Sequence, residues 1–225
     1  MKKSTLFRIL LTFIIMMGGI TAKAQINTLA GLTGAVAVYC PAEQVKMLAA
    51  SSGTTYAWLR YPGKDLTGTP VTLAGTTANL VDVPPAPGYY TYVSTSSNTN
   101  CTSDPSTPVV IYALPNITAT VTGPAAACVS AIGTTVLTAT AANTEATDTD
   151  VFGYTYQWSK NGTAITGATN TTYTLNATTD ATLGAQAFTV SVKYIIRPAC
   201  TTAVSNTQTV TVEPNPTKPT VTIVP

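Results

Sequence analysis

The sequence predicts an all-β protein made of two consecutive antiparallel β-sandwiches. Short runs rich in Val, Ile, Tyr and Thr alternate with Gly, Pro and Asn, and no long stretch shows helical periodicity. Length alone leaves one large domain or two of about 100 residues open. The choice of two rests on an internal repeat and on a pair of cysteines in each copy.

The two copies align around a tryptophan followed by a Gly and then by Thr-Gly. Trp58 precedes Cys101 by 43 positions, and Trp158 precedes Cys200 by 42. Only the interval from the first cysteine of each copy to its tryptophan differs much, at 18 against 30 positions. The excess falls in residues 143–153, a polar stretch that predicts a longer loop.

Each copy contains short strands at the spacing typical of a sandwich. The first copy predicts strands at residues 45–50, 55–60, 79–83, 89–94 and 108–112, and the second at 134–141, 154–159, 172–176, 187–194 and 207–212. Asn161-Gly162 predicts a tight hairpin turn. Phe188, Val190 and Val192 alternate with polar residues, which places them on one face of a half-buried strand.

The four cysteines predict two disulfides in an exported protein. Three pairings are possible in principle, and matching positions in two copies favour pairing within each copy. We therefore expect Cys40–Cys101 and Cys128–Cys200, each closing one end of its sandwich.

The first 24 residues predict a cleaved export signal. Lys2, Lys3 and Arg8 precede the apolar run 9–20, which is shorter than the roughly 20 residues of a membrane-spanning helix. Ala22-Lys23-Ala24 supplies the cleavage site. The mature chain then has seven basic and nine acidic residues, a balance without the basic patch of a nucleic-acid-binding surface. We expect a secreted or outer-surface bacterial protein with no stable membrane insertion and no nucleic-acid partner.

The predicted organisation is a signal peptide at 1–24, sandwich domains at 25–114 and 115–214, and a linker with the start of a possible third repeat at 215–225. Proline-containing linkers follow both copies. Residues 217–223 match 118–122, the opening strand of the second copy. Two alternatives follow: the sequence is a piece of a longer array, or this segment pairs with the second domain.

The segments around Trp158, Asn161-Gly162 and Tyr173, and those around Gly88 and Cys101, resemble bacterial immunoglobulin-like and PKD-like repeats of Bacteroidetes surface proteins. The resemblance covers nearly all of the predicted mature chain. It implies immunoglobulin-like sandwiches with Trp58 and Trp158 in the core and Tyr90 as a corner tyrosine. Phe188 would take the place of Tyr90 in the second copy, without its hydroxyl.

Few residues suggest catalysis. The chain has no His, which excludes His-based triads and the usual zinc sites. We expect no cofactor and no enzymatic activity. Glu145, Asp148 and Asp150 form a weak candidate calcium site in the longer loop. Tyr56, Tyr61, Tyr89 and Tyr112 could form a sugar-binding strip or simply cover strand faces.

Export, repeats and an expected disulfide in each domain predict a structural or adhesive module that binds a protein or glycan partner at the cell surface. An alternative is a non-catalytic accessory region of a larger secreted enzyme, serving as a spacer or binding carbohydrate. The partner's identity does not follow from the sequence, because one fold serves many functions.

Overall fold

The computed structural model describes residues 25–32, 34–143 and 152–223, and it is an all-β protein with two sandwiches, as predicted. A short 3-10 helix, Leu29–Gly31, precedes the first sandwich. The strands of that sandwich are β1 (Ala37–Tyr39), β2 (Val45–Leu48), β3 (Thr55–Pro62), β4 (Val71–Leu73), β5 (Asn79–Asp82), β6 (Gly88–Ser97) and β7 (Val109–Ala113).

The second sandwich contains nine described strands and a 3-10 helix, Val129–Thr134. The strands are β8 (Ile117–Thr122), β9 (Ala126–Cys128), β10 (Val136–Asn143), β11 (Tyr154–Lys160), β12 (Thr163–Ala164), β13 (Thr172–Thr174), β14 (Gly184–Tyr194), β15 (Ala203–Val204) and β16 (Gln208–Glu213). All ten strands expected in the repeat are present, with ends shifted by at most three residues.

The two sandwiches share a plan but differ in their smaller sheets. The larger sheets run β1-β7-β6-β3-β4 and β12-β11-β14-β16-β9, with β15 paired to β14. The smaller sheets are β2-β5 in the first sandwich and β13-β10-β8 in the second. Most pairs are antiparallel, but β1 with β7 and β9 with β16 are parallel. Within the described residues, the first sandwich therefore has no counterpart of β8.

Each sandwich encloses its own apolar core. In the second, Phe188, Val190 and Val192 are fully buried on one face of β14. Their alternation with polar residues matches the period of two expected for a strand with one buried face. In the first, Val45, Leu80 and Ile111 are buried between the two sheets. These faces account for the alternating pattern of the sequence.

The turn between β11 and β12 has the predicted hairpin geometry. Lys160 pairs with Thr163, which leaves Asn161 and Gly162 as the two turn residues. Both have positive φ, 50° and 82°. Two consecutive positive φ values define a type I′ turn, for which Asn-Gly is the favoured pair.

A third apolar cluster joins the two sandwiches, and we call it the junction cluster. Its buried members are Leu32, Val38, Tyr112, Leu114, Phe152, Tyr194 and Cys200. Ring centroids are 5.5 Å apart from Tyr112 to Phe152 and again from Phe152 to Tyr194. The Tyr194 hydroxyl donates to the Pro115 carbonyl at 2.7 Å. The linker is thus packed between the two bodies.

Candidate functional site

The two tryptophans occupy equivalent positions in the two cores. Trp58 is 4% exposed and Trp158 is fully buried. Their ring N–H groups donate to the carbonyls of Thr77 at 3.2 Å and Asn170 at 2.8 Å. A buried indole needs such an acceptor. An N–H group that loses its water and gains no hydrogen bond would destabilise the folded state. Each tryptophan therefore ties the loop that precedes β5 or β13 to the core.

The corner of the second sandwich is formed by Gln186, which corrects the expectation placed on Phe188. Strand pairing sets Phe188 opposite Lys160 and Tyr92 opposite Arg60, so Phe188 corresponds to Tyr92. Two residues earlier, Gln186 corresponds to Tyr90. The Gly88 and Gly184 pairings at the start of β6 and β14 give the same alignment.

Both corner residues donate to a carbonyl four positions earlier in the chain. The Tyr90 hydroxyl donates to Ala86 at 2.9 Å. The Gln186 amide donates to the Thr182 carbonyl at 2.6 Å. It also donates to the backbone carbonyl of Asp180 at 2.9 Å. The corner hydrogen bond is therefore kept in the second sandwich, with an amide in place of a phenol.

We expect Tyr90→Phe to lower the free energy of unfolding by about 1 kcal/mol, because it removes the hydroxyl that donates to the Ala86 carbonyl and accepts from the Ala86 N–H, without changing packing. Gln186→Leu costs about 1–3 kcal/mol, since it leaves two carbonyls without their donor. Chemical denaturation followed by tryptophan fluorescence measures both. Tyr61→Phe, on a partly exposed ring, is the matched control. Equal stability of Tyr90→Phe and this control would contradict the role of the corner.

An ion pair buried beside each core was not predicted from the sequence. Arg60 Nη1 lies 2.7 Å from Asp82 Oδ2, which also accepts from the Tyr92 hydroxyl at 2.7 Å. Burial, followed by the Asp82 carboxylate, raises the pKa of Tyr92. Arg60 and Lys160 both stand two positions after a tryptophan, and this shared spacing was the available signal.

The ion pair of the second sandwich is centred on Asp180, whose side chain is 2% exposed. Lys160 Nζ lies 2.8 Å from Oδ1, and the Tyr173 hydroxyl and Asn176 N–H donate to Oδ2 at 2.6 and 2.8 Å. Burial alone would raise the pKa of Asp180. Hydrogen bonds from Lys160, Tyr173 and Asn176, with the Lys160 charge, hold that pKa below its usual value.

The expected disulfides Cys40–Cys101 and Cys128–Cys200 are wrong. The bond in the structure is Cys40–Cys200, with its Cα atoms 5.3 Å apart. Cys101 and Cys128 are free thiols. The bond therefore joins the two sandwiches, and it does not close either one.

Strand register explains the correction. In the first sandwich Tyr39 pairs with Ala113, which pairs with Gly88 at the start of β6. Cys40 therefore lies near that start, whereas Cys101 follows the far end of β6. Ten residues of strand span about 30 Å, and disulfide Cα atoms lie within about 7 Å of each other. The two cysteines are thus at opposite ends of the sandwich.

The second sandwich repeats this separation. Cys128 pairs with Glu213 beside the start of β14, while Cys200 follows its end. The two sandwiches stack end to end. Cys40, near the start of β6, therefore meets Cys200, which follows the end of β14. Beside the bond, Arg197 Nη2 lies 2.8 Å from Glu43 Oε1. Tyr154 packs against the junction cluster. Burial raises the pKa of its hydroxyl to about 12, and the charge of a nearby ionised Tyr156 would raise it further.

We expect two of the four cysteines to react with iodoacetamide in the folded protein. Cys101 is exposed and Cys128 partly buried, so Cys101 reacts first. Mass spectrometry should count two carbamidomethyl adducts on the native protein and four on the denatured and reduced protein. Peptide mapping then assigns each adduct to a cysteine. The Cys101→Ser/Cys128→Ser variant is the control, with no native adduct. A wild-type chain without native adducts would contradict the two free thiols.

An open groove lies along β2 in the first sandwich, where the second sandwich has β8. It has a volume of about 630 Å³ and runs between the 47–51 segment and the 103–109 segment. Trp58, Tyr92 and Met47 form its floor. Leu48 on its rim is 71% exposed. The groove combines an apolar floor with an uncovered strand edge, as peptide-binding surfaces do.

Glu145, Asp148 and Asp150 lie outside the described residues. Within the described residues, no group of three or more Cys, Asp or Glu side chains is placed to hold a metal ion. Tyr112 is buried in the junction cluster and Tyr89 packs edge-on against it at 4.7 Å, so these two do not belong to an exposed strip.

The architecture is an immunoglobulin-like fold repeated twice, and comparisons with known proteins do not identify a family. No family model and no curated protein matches the chain. Across residues 25–32, 34–143 and 152–223, no helix is long and apolar enough to cross a membrane.

Several solved structures are similar to this chain. Fibronectin(III)-like modules of CbhA from Clostridium thermocellum are 18% identical, with a TM-score of 0.35, over 80% of this chain and 90% of that one. Chicken CNTN1 FN1–FN3 domains are 14% identical, with a TM-score of 0.33, over 80% and 65%. The CD2-binding domain of CD58 is 10% identical, with a TM-score of 0.36, over 76% and 94%. Such distant likenesses carry no argument about a ligand.

Proposed function

We propose that the chain is an exported, non-catalytic immunoglobulin-like repeat protein that acts as a structural and adhesive module at the outer surface of a bacterial cell. The observation that carries the proposal is the junction between the sandwiches. A buried aromatic cluster, the Cys40–Cys200 bond and the Arg197–Glu43 ion pair all cross it. Linked domains usually move relative to one another unless their interface is large and apolar. A locked pair suits a role in which a binding surface is held away from the cell.

The disulfide also supports an exported location, because such bonds persist in oxidising compartments. The predicted signal peptide points the same way. Binding of a protein or glycan partner is the adhesive part of the proposal. The groove along β2 offers one surface for it, since an uncovered strand edge can pair with a partner's backbone.

The test uses the predicted mature chain, residues 25–225, immobilised on a surface and exposed to intact cells, extracellular-matrix proteins and a glycan array. We expect saturable binding to at least one of these. The Cys101→Ser/Cys128→Ser variant is the matched control, because it excludes capture through a free thiol. Binding that this variant loses, or no binding at all, would reject adhesion and leave a spacer role.

A further inference from the structure

The smaller sheet of the first sandwich is missing one strand at a defined position. The Ala49 N–H donates to the Ala78 carbonyl at 2.9 Å, and in the second sandwich the Ala139 N–H donates to Thr171 at 2.7 Å. Ala49 and Ala139 therefore correspond. Strand β8 lies on the other side of Ala139, with Val121 opposite it. On the same side of Ala49 is the open groove.

The described residues that precede β1, 25–32 and 34–36, do not fill this position. Residues Leu29–Gly31 form a 3-10 helix, and Leu32 is buried in the junction cluster. Ile26 forms a bridge to Phe152 of the second sandwich. The segment that would correspond to β8 is thus used to join the two sandwiches, and the edge of β2 stays open.

The groove has the hydrogen-bonding and apolar features of a strand acceptor. Because Ala49 bonds towards β5, alternation turns the backbone groups of Leu48 and Ala50 towards the groove. In the second sandwich the corresponding edge receives β8, whose Val121 is 2% exposed. An incoming strand in the first sandwich would place its apolar face against Trp58 and Tyr92.

A segment that repeats the last three residues of β8 lies outside the described strands. Thr220-Val221-Thr222 repeats Thr120-Val121-Thr122, and Pro219, Val221 and Ile223 alternate with polar residues. Residues 217–223 form no strand, which rules out the predicted alternative that they pair with the second domain. Val221 is 90% exposed and Ile223 is 97% exposed. Their exposure leaves an apolar strand face available.

Pro219 is compatible with this strand. In β8 the Val121 N–H points away from β10 and bonds to Asn206 Oδ1 at 2.8 Å. Ala119 has the same orientation, two residues earlier. Pro219 corresponds to Ala119, so its missing N–H is not one that the acceptor edge needs. Thr220 and Thr222 retain the N–H groups that face Ala50 and Leu48.

The segment cannot reach the groove of its own chain. Glu213 ends β16 beside Gly184, at the end of the second sandwich remote from the junction. Strand β14 carries the sandwich about 34 Å back to Tyr194. The eight residues from Glu213 to Val221 span at most about 29 Å. The groove lies beyond the junction, so the donor must be another copy.

We propose that residues 217–223 of one copy insert into the groove of a second copy as its missing strand, antiparallel to β2. Thr220 then pairs with Ala50, and Val221 lies opposite Ala49. Each copy has one donor segment and one acceptor groove on different surfaces. Such a head-to-tail contact does not close on itself and produces open chains of copies. The proposal goes beyond the adhesive function and depends only on the fold.

Three variants test it in the Cys101→Ser/Cys128→Ser background, where no free thiol can link copies. Val221→Asp places a charge in the groove and removes the donor. Ala50→Pro removes an N–H that faces the groove and blocks the acceptor. Thr220→Asp adds the same charge on the outward face and is the matched control. Sedimentation velocity of residues 25–225 is measured over a concentration series, after incubation long enough for slow exchange.

We expect the parent and Thr220→Asp to form a ladder of oligomers. Val221→Asp and Ala50→Pro each associate at least about tenfold more weakly, because the first buries a charge in the groove and the second removes a backbone hydrogen bond to the incoming strand. Mixed together, the two defective variants form dimers and nothing larger, since one retains the groove and the other the donor. Association of Val221→Asp like the parent, no dimer in the mixture, or a monomeric parent would each overturn the proposal.

A peptide of residues 216–223 with a fluorescent label decides the same question if Ala50→Pro does not fold. We expect it to bind the Val221→Asp chain, raise its own anisotropy and protect the amides of Leu48 and Ala50 from exchange. The peptide carrying Val221→Asp does not bind. Equal binding of both peptides would reject a strand-specific groove, whatever the outcome of the adhesion test.

Discussion

Replacing Cys40 and Cys200 together by serine lowers the free energy of unfolding by about 2–5 kcal/mol. The bond spans a sequence separation of 160, and a longer closed loop restricts the unfolded chain more. We expect the loss to fall on the coupling between the sandwiches, because the bond lies at their junction. Denaturant titration measures it through Trp58 and Trp158, one reporter in each core.

The double variant Cys101→Ser/Cys128→Ser is the matched control, because it removes two sulfhydryl groups without breaking a bond. We expect its unfolding midpoint to equal that of the wild-type chain. A similar loss in both double variants would show that the Cys40–Cys200 bond adds no stability. The junction cluster would then hold the sandwiches together alone.

Asp180→Asn destabilises the chain by about 2–4 kcal/mol at neutral pH, because it leaves the Lys160 ammonium without its counter-charge in a largely buried setting. The change keeps the size of the side chain, so packing contributes little. Asp104→Asn, at an exposed carboxylate, is the matched control and leaves stability unchanged. Equal stability of the two variants would contradict a role for the buried pair.

The same variant changes how stability depends on pH. The pKa of Asp180 is lower in the folded state than its ordinary value near 3.9, so the carboxylate stabilises the fold above that value. This contribution disappears as pH falls through the folded-state pKa. We expect the wild-type chain to lose more stability below about pH 4 than Asp180→Asn does. The melting temperatures of both proteins are measured from pH 2 to 6. An equal decrease with falling pH in the two proteins would refute the role assigned to the Asp180 carboxylate.

The strands and the sandwich class were predictable because both follow from local patterns. Alternation such as Phe188, Val190, Val192 sets which face is buried, and Asn161-Gly162 sets a two-residue turn. The corner residue was missed for a related reason. A shift of two positions keeps every side chain on the same face, so the pattern alone does not distinguish Phe188 from Gln186 as the partner of Tyr90.

The disulfide and the groove depend on how distant parts of the chain meet. Matching cysteines in two copies suggested pairing within each, yet β6 and β14 hold the members of each expected pair at opposite ends of a strand. The vacancy beside β2 was also invisible, because residues 25–36 have a length compatible with a strand. Their packing at the junction depends on tertiary contacts, which no local sequence pattern predicts.

The Cys40–Cys200 bond also determines how the chain carries tension. A pull applied at residues 25 and 223 passes through the covalent bond and bypasses everything between the two cysteines. Strands β2 to β14 all lie between the two cysteines, so the pull does not extend them. Only about 40 residues outside the loop can extend, roughly 140 Å in all. A tether with this connection yields a short, fixed length under force, and the chain between Cys40 and Cys200 is not drawn out.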